Sequence, residues 1–186
     1  MGKAFLPKGL LFLASLSVPL VGFSLKLSSP AFNNGGYIPT RYTCDGENIS
    51  PPLVWKDIPK NTKSLVLIVH DPDAPVGDFT HWVVYEIPPT FKGLPAAVPR
   101  TPIVFKVVKQ GYNDFGFIGY GGPCPPPWDG AHRYFFELYA LDYSPSIPPG
   151  ATRAEVEKAL KGHVLAKAVL MGKYKRQRYF RFAKVW

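Results

Sequence analysis

From Ser64 to Val69 (SLVLIV) the chain is almost continuously apolar and rich in branched side chains, the pattern of a strand covered on both faces. Ser24 to Ser29 (SLKLSS) instead alternates apolar and polar residues, as a half-buried strand does. Further strands are predicted at His81 to Ile87, closed by Pro88-Pro89, within Ile103 to Val108, and at Arg133 to Asp142. Tyr179 to Trp186 alternates in the same way and predicts a final strand. Asn33-Asn34-Gly35-Gly36 is a turn signal leading into an extended segment, Tyr37 to Cys44, and Trp55 reads as a core anchor. Thr152-Arg153-Ala154-Glu155 has the capping-box spacing and predicts a helix to about Lys161, with Gly162 as its left-handed terminator. Val164 to Met171 predicts a second short helix closed by Gly172. The chain shows no internal repeat and no low-complexity linker.

Composition agrees with a mostly β reading. The 186 residues suit one domain, and 17 Gly, 21 Pro and 15% aromatics suit short strands joined by many turns. With 46% hydrophobic residues the chain is too apolar for wholesale disorder. The net charge of +9 is concentrated at one end: residues 161 to 186 carry eight Lys or Arg and no acid. Such a cluster attracts polyanions or forms a solvated strand and tail; the second reading is preferred, and no specific nucleic-acid partner is expected.

The first residues add a compartment. Lys3 and Lys8 precede an apolar run of 14 residues, Leu10 to Phe23, shorter than the roughly 20 that a membrane span needs. Gly22-Phe23-Ser24 then supplies small residues for cleavage after Ser24. The expectation is a signal segment at 1–24, export, and a single domain at 25–186; the rival is an uncleaved anchor or a buried arm.

Polar groups concentrate where strands end: Asp71 to Pro75, His81, and Gly119 to Tyr134. Two prolines stiffen the loop that holds Asp71 and Asp73. His81 and His132 each open an apolar strand. Two imidazoles and a carboxylate suit a facial metal triad, a general-base pair or an anion cradle. Gly121-Gly122-Pro123 and Pro125 to Pro127 form a stiff wall whose glycines admit close approach to backbone amides. No phosphate-loop or dinucleotide fingerprint is present, and Asp114-Phe115-Gly116 imitates a kinase motif without its companions. No serine lies in G-x-S-x-G, and Cys124 is crowded by prolines, so a nucleophilic enzyme is disfavoured. Cys44 and Cys124, the only two cysteines, are too few for a disulfide scaffold but enough for one bridge outside a reducing compartment.

Four ordered blocks resemble the phosphatidylethanolamine-binding (Raf kinase inhibitor-like) family, in its bacterial and archaeal branch. They are Cys44-Asp45-Gly46 with Ser50-Pro51-Pro52-Leu53 and Trp55; Asp71-Pro72-Asp73-Ala74-Pro75 with His81-Trp82; Gly122-Pro123 with His132-Arg133-Tyr134; and Gly162-His163-Val164-Leu165-Ala166. The resemblance spans about Ser24 to Lys175. It implies two packed antiparallel sheets with a few short peripheral helices, and a shallow pocket for phosphate-like or carboxylate anions formed by Asp71, His81, Gly122, Pro123, His132 and Tyr134. Asp71 would orient a histidine; the imidazoles, the Tyr134 hydroxyl and a backbone amide would donate to the ligand. No catalytic residue, metal or cofactor is implied. Expected partners are a small anion, a phospholipid head group or a protein, with the chain a monomer or homodimer. Cys44 and Cys124 would lie near the pocket rim and form a disulfide. Three departures from eukaryotic members, a short loop before Thr80-His81, the insertion Cys124 to Ala131 and the export segment, argue against a cytosolic kinase partner. The rival functions are a metal-assisted hydrolase using Asp71, His81 and His132, and an interaction module with an idle pocket.

Overall fold

The computed structural model describes residues 24–176, so the signal segment before Ser24 and the strand predicted at Tyr179 to Trp186 lie outside the described residues. In chain order the elements are β1 (Lys26–Ser28), β2 (Leu53–Lys56), β3 (Ser64–Asp71), β4 (Phe79–Ile87), β5 (Gly93–Leu94), β6 (Ile103–Val104), β7 (Val108–Gln110), β8 (His132–Leu141), α1 (Arg153–Leu160) and β9 (Val164–Tyr174). They form a three-stranded sheet, β1-β2-β5, and a six-stranded sheet, β6-β7-β4-β3-β8-β9, with every pairing antiparallel.

The continuous apolar run of β3 has a direct cause. Leu65, Leu67 and Val69 face the main core shared with Leu27, Trp55 and Leu94 of the small sheet. Val66 and Ile68 face a second cluster under α1, with Val156 and Leu160. Burying each such side chain contributes about 1.5–3 kcal/mol, so both faces of β3 must be covered. The capping box forms as predicted: Thr152 accepts from the Glu155 amide and Glu155 accepts from Thr152 N–H, while Gly162 takes φ 81° beyond the helix.

Two predicted elements change and a third is refined. Val164–Tyr174 is a strand, not a helix: ten of its residues pair with β8, and Ala168, Leu170 and Tyr174 are buried at alternate positions. Ala, Leu, Met and Lys favour helix in isolation, but the pairing and the apolar face of the sheet outweigh that preference. Gly172 therefore ends nothing. It lies in β9 where Ile38 and Phe32 pack over the strand, and a Cβ there would stand 2.5 Å from Ile38 Cγ1. Gly172→Val should cost about 2 kcal/mol by overpacking; urea unfolding with a loss below about 0.5 kcal/mol would contradict that close contact. The segment expected to be extended from Tyr37 to Cys44 does so only at its start, where Ile38 N–H bonds Lys173 O of β9 (2.8 Å), before a 3-10 turn at Thr40–Tyr42. The strand expected within Ile103 to Val108 is present as the hairpin β6-β7, because Phe105 and Lys106 take φ 51° and 68° and reverse the chain.

Two bulges shape β4. Leu65 and Leu67 of β3 face Ile87 and Val84, so β4 carries an extra residue there, with Glu86 at φ 53°. Val69 and His70 face Trp82 and Thr80, which leaves His81 as the extra residue. Bulges bend a strand and re-aim side chains. Here the second bulge lets His81 and Trp82, adjacent in sequence, both turn toward the main-core side.

Candidate functional site

The end of β3, the start of β4 and the start of β8 meet at one end of the main core. Two carboxylates separated by one proline fasten this junction. Asp71 Oδ2 faces His132 Nδ1 at 2.8 Å, and its Oδ1 accepts from the Asp73 amide at 2.8 Å. Asp73 in turn accepts from the Arg133 amide (2.9 Å), Nε (2.8 Å) and Nη2 (2.6 Å). The Asp71-Pro72-Asp73 loop thus grips two consecutive residues of β8. The Arg133 guanidinium holds the Asp73 carboxyl down at about 2. That contribution to stability is present above the ordinary carboxylate range and is lost only as pH falls through about 2. The far end of the loop is also tied: Asp78 bonds His70 Nδ1 (2.5 Å) and Arg153 Nη1 (2.9 Å).

Asp71, His81 and His132 line a cavity of about 270 Å³. All three are at least 95% buried. Its walls are apolar: Pro75 and Val76 from the β3–β4 loop, Phe79 from β4, Phe115, and the Cys124-Pro125-Pro126 run. His81 is fixed twice to one glycine, since its Nδ1 lies 2.6 Å from Gly121 O and its carbonyl accepts from Gly121 N–H at 2.9 Å. The carbonyl can only accept, so Nδ1 carries the proton and Nε2 is the bare nitrogen of the neutral ring. Burial pushes the His81 pKa down despite that carbonyl and the charges of Asp71 and Asp114, so the ring is neutral near pH 7. Phe115 and Tyr134 meet its ring edge-on at 5.3 and 5.1 Å.

Tyr134 lies beneath the cavity rather than in its lining. Its hydroxyl is buried beside the Asp71 carboxylate, and burial together with that charge and contact drives its pKa far above the phenol range. Gly122 and Pro123 are placed differently from their expected role as ligand contacts. The Gly122 amide is taken by Asn48 Oδ1 (2.8 Å), and the Pro123 carbonyl accepts from the Cys44 amide (3.1 Å). Gly122 is small for another reason: a Cβ would stand 2.4 Å from Tyr42 O. Cys44 and Cys124 are joined as a disulfide with Cα atoms 5.3 Å apart, which holds the 124–126 wall.

Several groups at the site carry no signal in the sequence motifs. Asp129, from the insertion, places Oδ2 3.4 Å from His132 Nε2. Phe115 belongs to the kinase-like triplet set aside above; Asp114 bonds the Thr80 amide (2.6 Å) and delivers Phe115 to the His81 ring. The i, i+3 spacing of Asp129 and His132 is the one local cue that could have linked them. Among the described residues no three His, Cys, Asp or Glu are grouped to hold a metal ion. Of the C-terminal basic residues, Lys167 pairs with Glu137, Arg176 with Asp45, and Lys173 lies over the Tyr37 ring.

Comparison with known proteins finds relatives over most of the chain. A "UPF0098 protein" of Aquifex aeolicus is 53% identical over 156 residues, covering 83% of this chain and 91% of that protein. Another, of Pyrococcus horikoshii, is 46% identical and covers 94% of this chain and 91% of its own length. Among solved structures, the phosphatidylethanolamine-binding protein homolog CT736 of Chlamydia trachomatis superposes with a TM-score of 0.76 at 42% identity, covering 83% of this chain and 99% of that one. Escherichia coli YbcL, described as a member of the mammalian PEBP family, gives 0.76 at 33% identity with the same coverage. The family model for phosphatidylethanolamine-binding protein matches residues 28–175, from β1 through β9 and across every cavity residue, so the chain belongs to the phosphatidylethanolamine-binding protein family.

Proposed function

We propose that the protein is an exported binding protein whose cavity takes a small oxyanion, a phosphate or carboxylate borne by a lipid head group, a partner protein or a free metabolite, without turning it over. Family membership supports a binding protein of this fold. The observation that carries the anion reading is the pair of buried imidazoles, each with Nδ1 committed to a protein acceptor, Gly121 O or Asp71, so that Nε2 is the ligand-side nitrogen of each ring, that of His132 also standing 3.4 Å from Asp129 Oδ2. The Tyr134 hydroxyl lies beneath the cavity beside Asp71 and steadies that carboxylate. The apolar walls suit the carbon portion of a head group, and a bound modulator of a partner protein would use the same cavity.

The neutral state of His81 sets the pH dependence. A bare Nε2 cannot donate to an oxyanion, so binding needs a proton on it, taken from solvent or carried in by the ligand, as dihydrogen phosphate does. Both routes weaken as pH rises. Calorimetry with inorganic phosphate and with O-phosphoethanolamine should show affinity falling at least about fivefold from about pH 6 to about pH 8, with net proton uptake on binding. Binding without proton uptake, or no binding across that range by either the wild-type chain or Asp129→Asn, would overturn the anion reading.

A further inference from the structure

The carboxylate of Asp129 stands where an incoming oxyanion would make its contact with His132. Both ring nitrogens of His132 already face a carboxylate, Asp71 Oδ2 at 2.8 Å and Asp129 Oδ2 at 3.4 Å. A ligand oxygen approaching Nε2 competes with Asp129 for the same proton and meets its negative charge. Among the described residues no Lys or Arg lines the cavity to offset that charge, and the Arg133 guanidinium is taken by Asp73.

The placement of Asp129 is built into the chain. Cys124 is tied to Cys44, Pro125 to Pro127 stiffen the next three residues, and the Asp129 amide closes a turn onto Pro126 O at 3.1 Å. The two carboxylates on His132 differ in their freedom, however. The Asp71 side chain is 4% exposed, whereas that of Asp129 is 33% exposed and has solvent to turn into.

We infer that Asp129 is a tethered competitor for the oxyanion site: it occupies His132 Nε2 in the empty protein, turns aside when a ligand binds, and thereby favours singly charged oxyanions, such as phosphodiesters, over dianions. This inference rests on the anion reading above and assigns the insertion a part in ligand selection.

The test compares the full chain with Asp129→Asn and Asp129→Glu at about pH 7.5, where inorganic phosphate is largely dianionic, using inorganic phosphate and dimethyl phosphate as probes. Asp129→Asn should bind inorganic phosphate at least about tenfold more tightly, gain less for dimethyl phosphate, and be mimicked by no change in Asp129→Glu, which keeps the charge. A wild-type protein that is silent beside an Asn variant that binds would also support the competitor. If the wild-type chain binds phosphate and Asp129→Asn gains less than about twofold, the competitor is refuted while the anion site stands. If neither binds either probe, the anion site and the competitor fall together.

Discussion

Replacing Cys44 and Cys124 together by serine is expected to lower the unfolding free energy by about 4 kcal/mol. The two cysteines are 80 residues apart, and closing so long a loop restricts the unfolded chain strongly. The loop holds β2 through β7, so both sheets draw strands from within it. The bridge also backs the cavity: Cys124 is in its lining, and the Cys44 amide bonds Pro123 O beside it. Phosphate affinity should therefore fall with stability. Urea unfolding of the double-serine chain and of the reduced wild-type chain should agree, since both lose the same covalent tie. A loss below about 1 kcal/mol in both would mean that the bridge constrains little. A bridge of this kind is favoured where thiols are not kept reduced, in line with the export proposed from the basic and apolar N-terminus.

How much of this was legible in the sequence depended on whether local and long-range preferences agreed. β3 was legible because burial on both faces leaves no polar position from Leu65 to Val69. The helix after Thr152 was legible because its capping box is a local device, complete within four residues. β9 was misread because Val164 to Met171 is built from good helix formers, and only the facing edge of β8, far away in sequence, makes it a strand. At the site, Asp71, His81 and His132 announce themselves as polar residues at strand ends. The bulge that turns His81 inward does not, because it depends on register against β3. Gly122 shows the opposite error: a glycine beside a suspected ligand site suggests a free amide, yet here it makes room for the Tyr42 carbonyl and gives its amide to Asn48.

His132→Ala is expected to weaken phosphate binding at least about a hundredfold, and more than the lost hydrogen bond alone explains. A charge-assisted bond from imidazole to an oxyanion contributes about 1.5–3 kcal/mol. The deletion also strips Asp71, 3% exposed, of its imidazole partner and leaves an uncompensated negative charge at the cavity floor. Folding stability should drop as well, though Asp71 keeps one bond from the Asp73 amide. The two parts can be separated with Asp71→Asn in the same background. If the stranded charge repels the ligand, Asp71→Asn/His132→Ala should recover about tenfold of the lost affinity, a coupling of about 1.4 kcal/mol in a double-mutant cycle. If the imidazole acts only as a donor, the second substitution should restore nothing. A His132→Ala chain that binds phosphate as the wild type does would show that the ligand lies elsewhere, because no displacement of the anion inside so small a cavity would spare the contact with this ring.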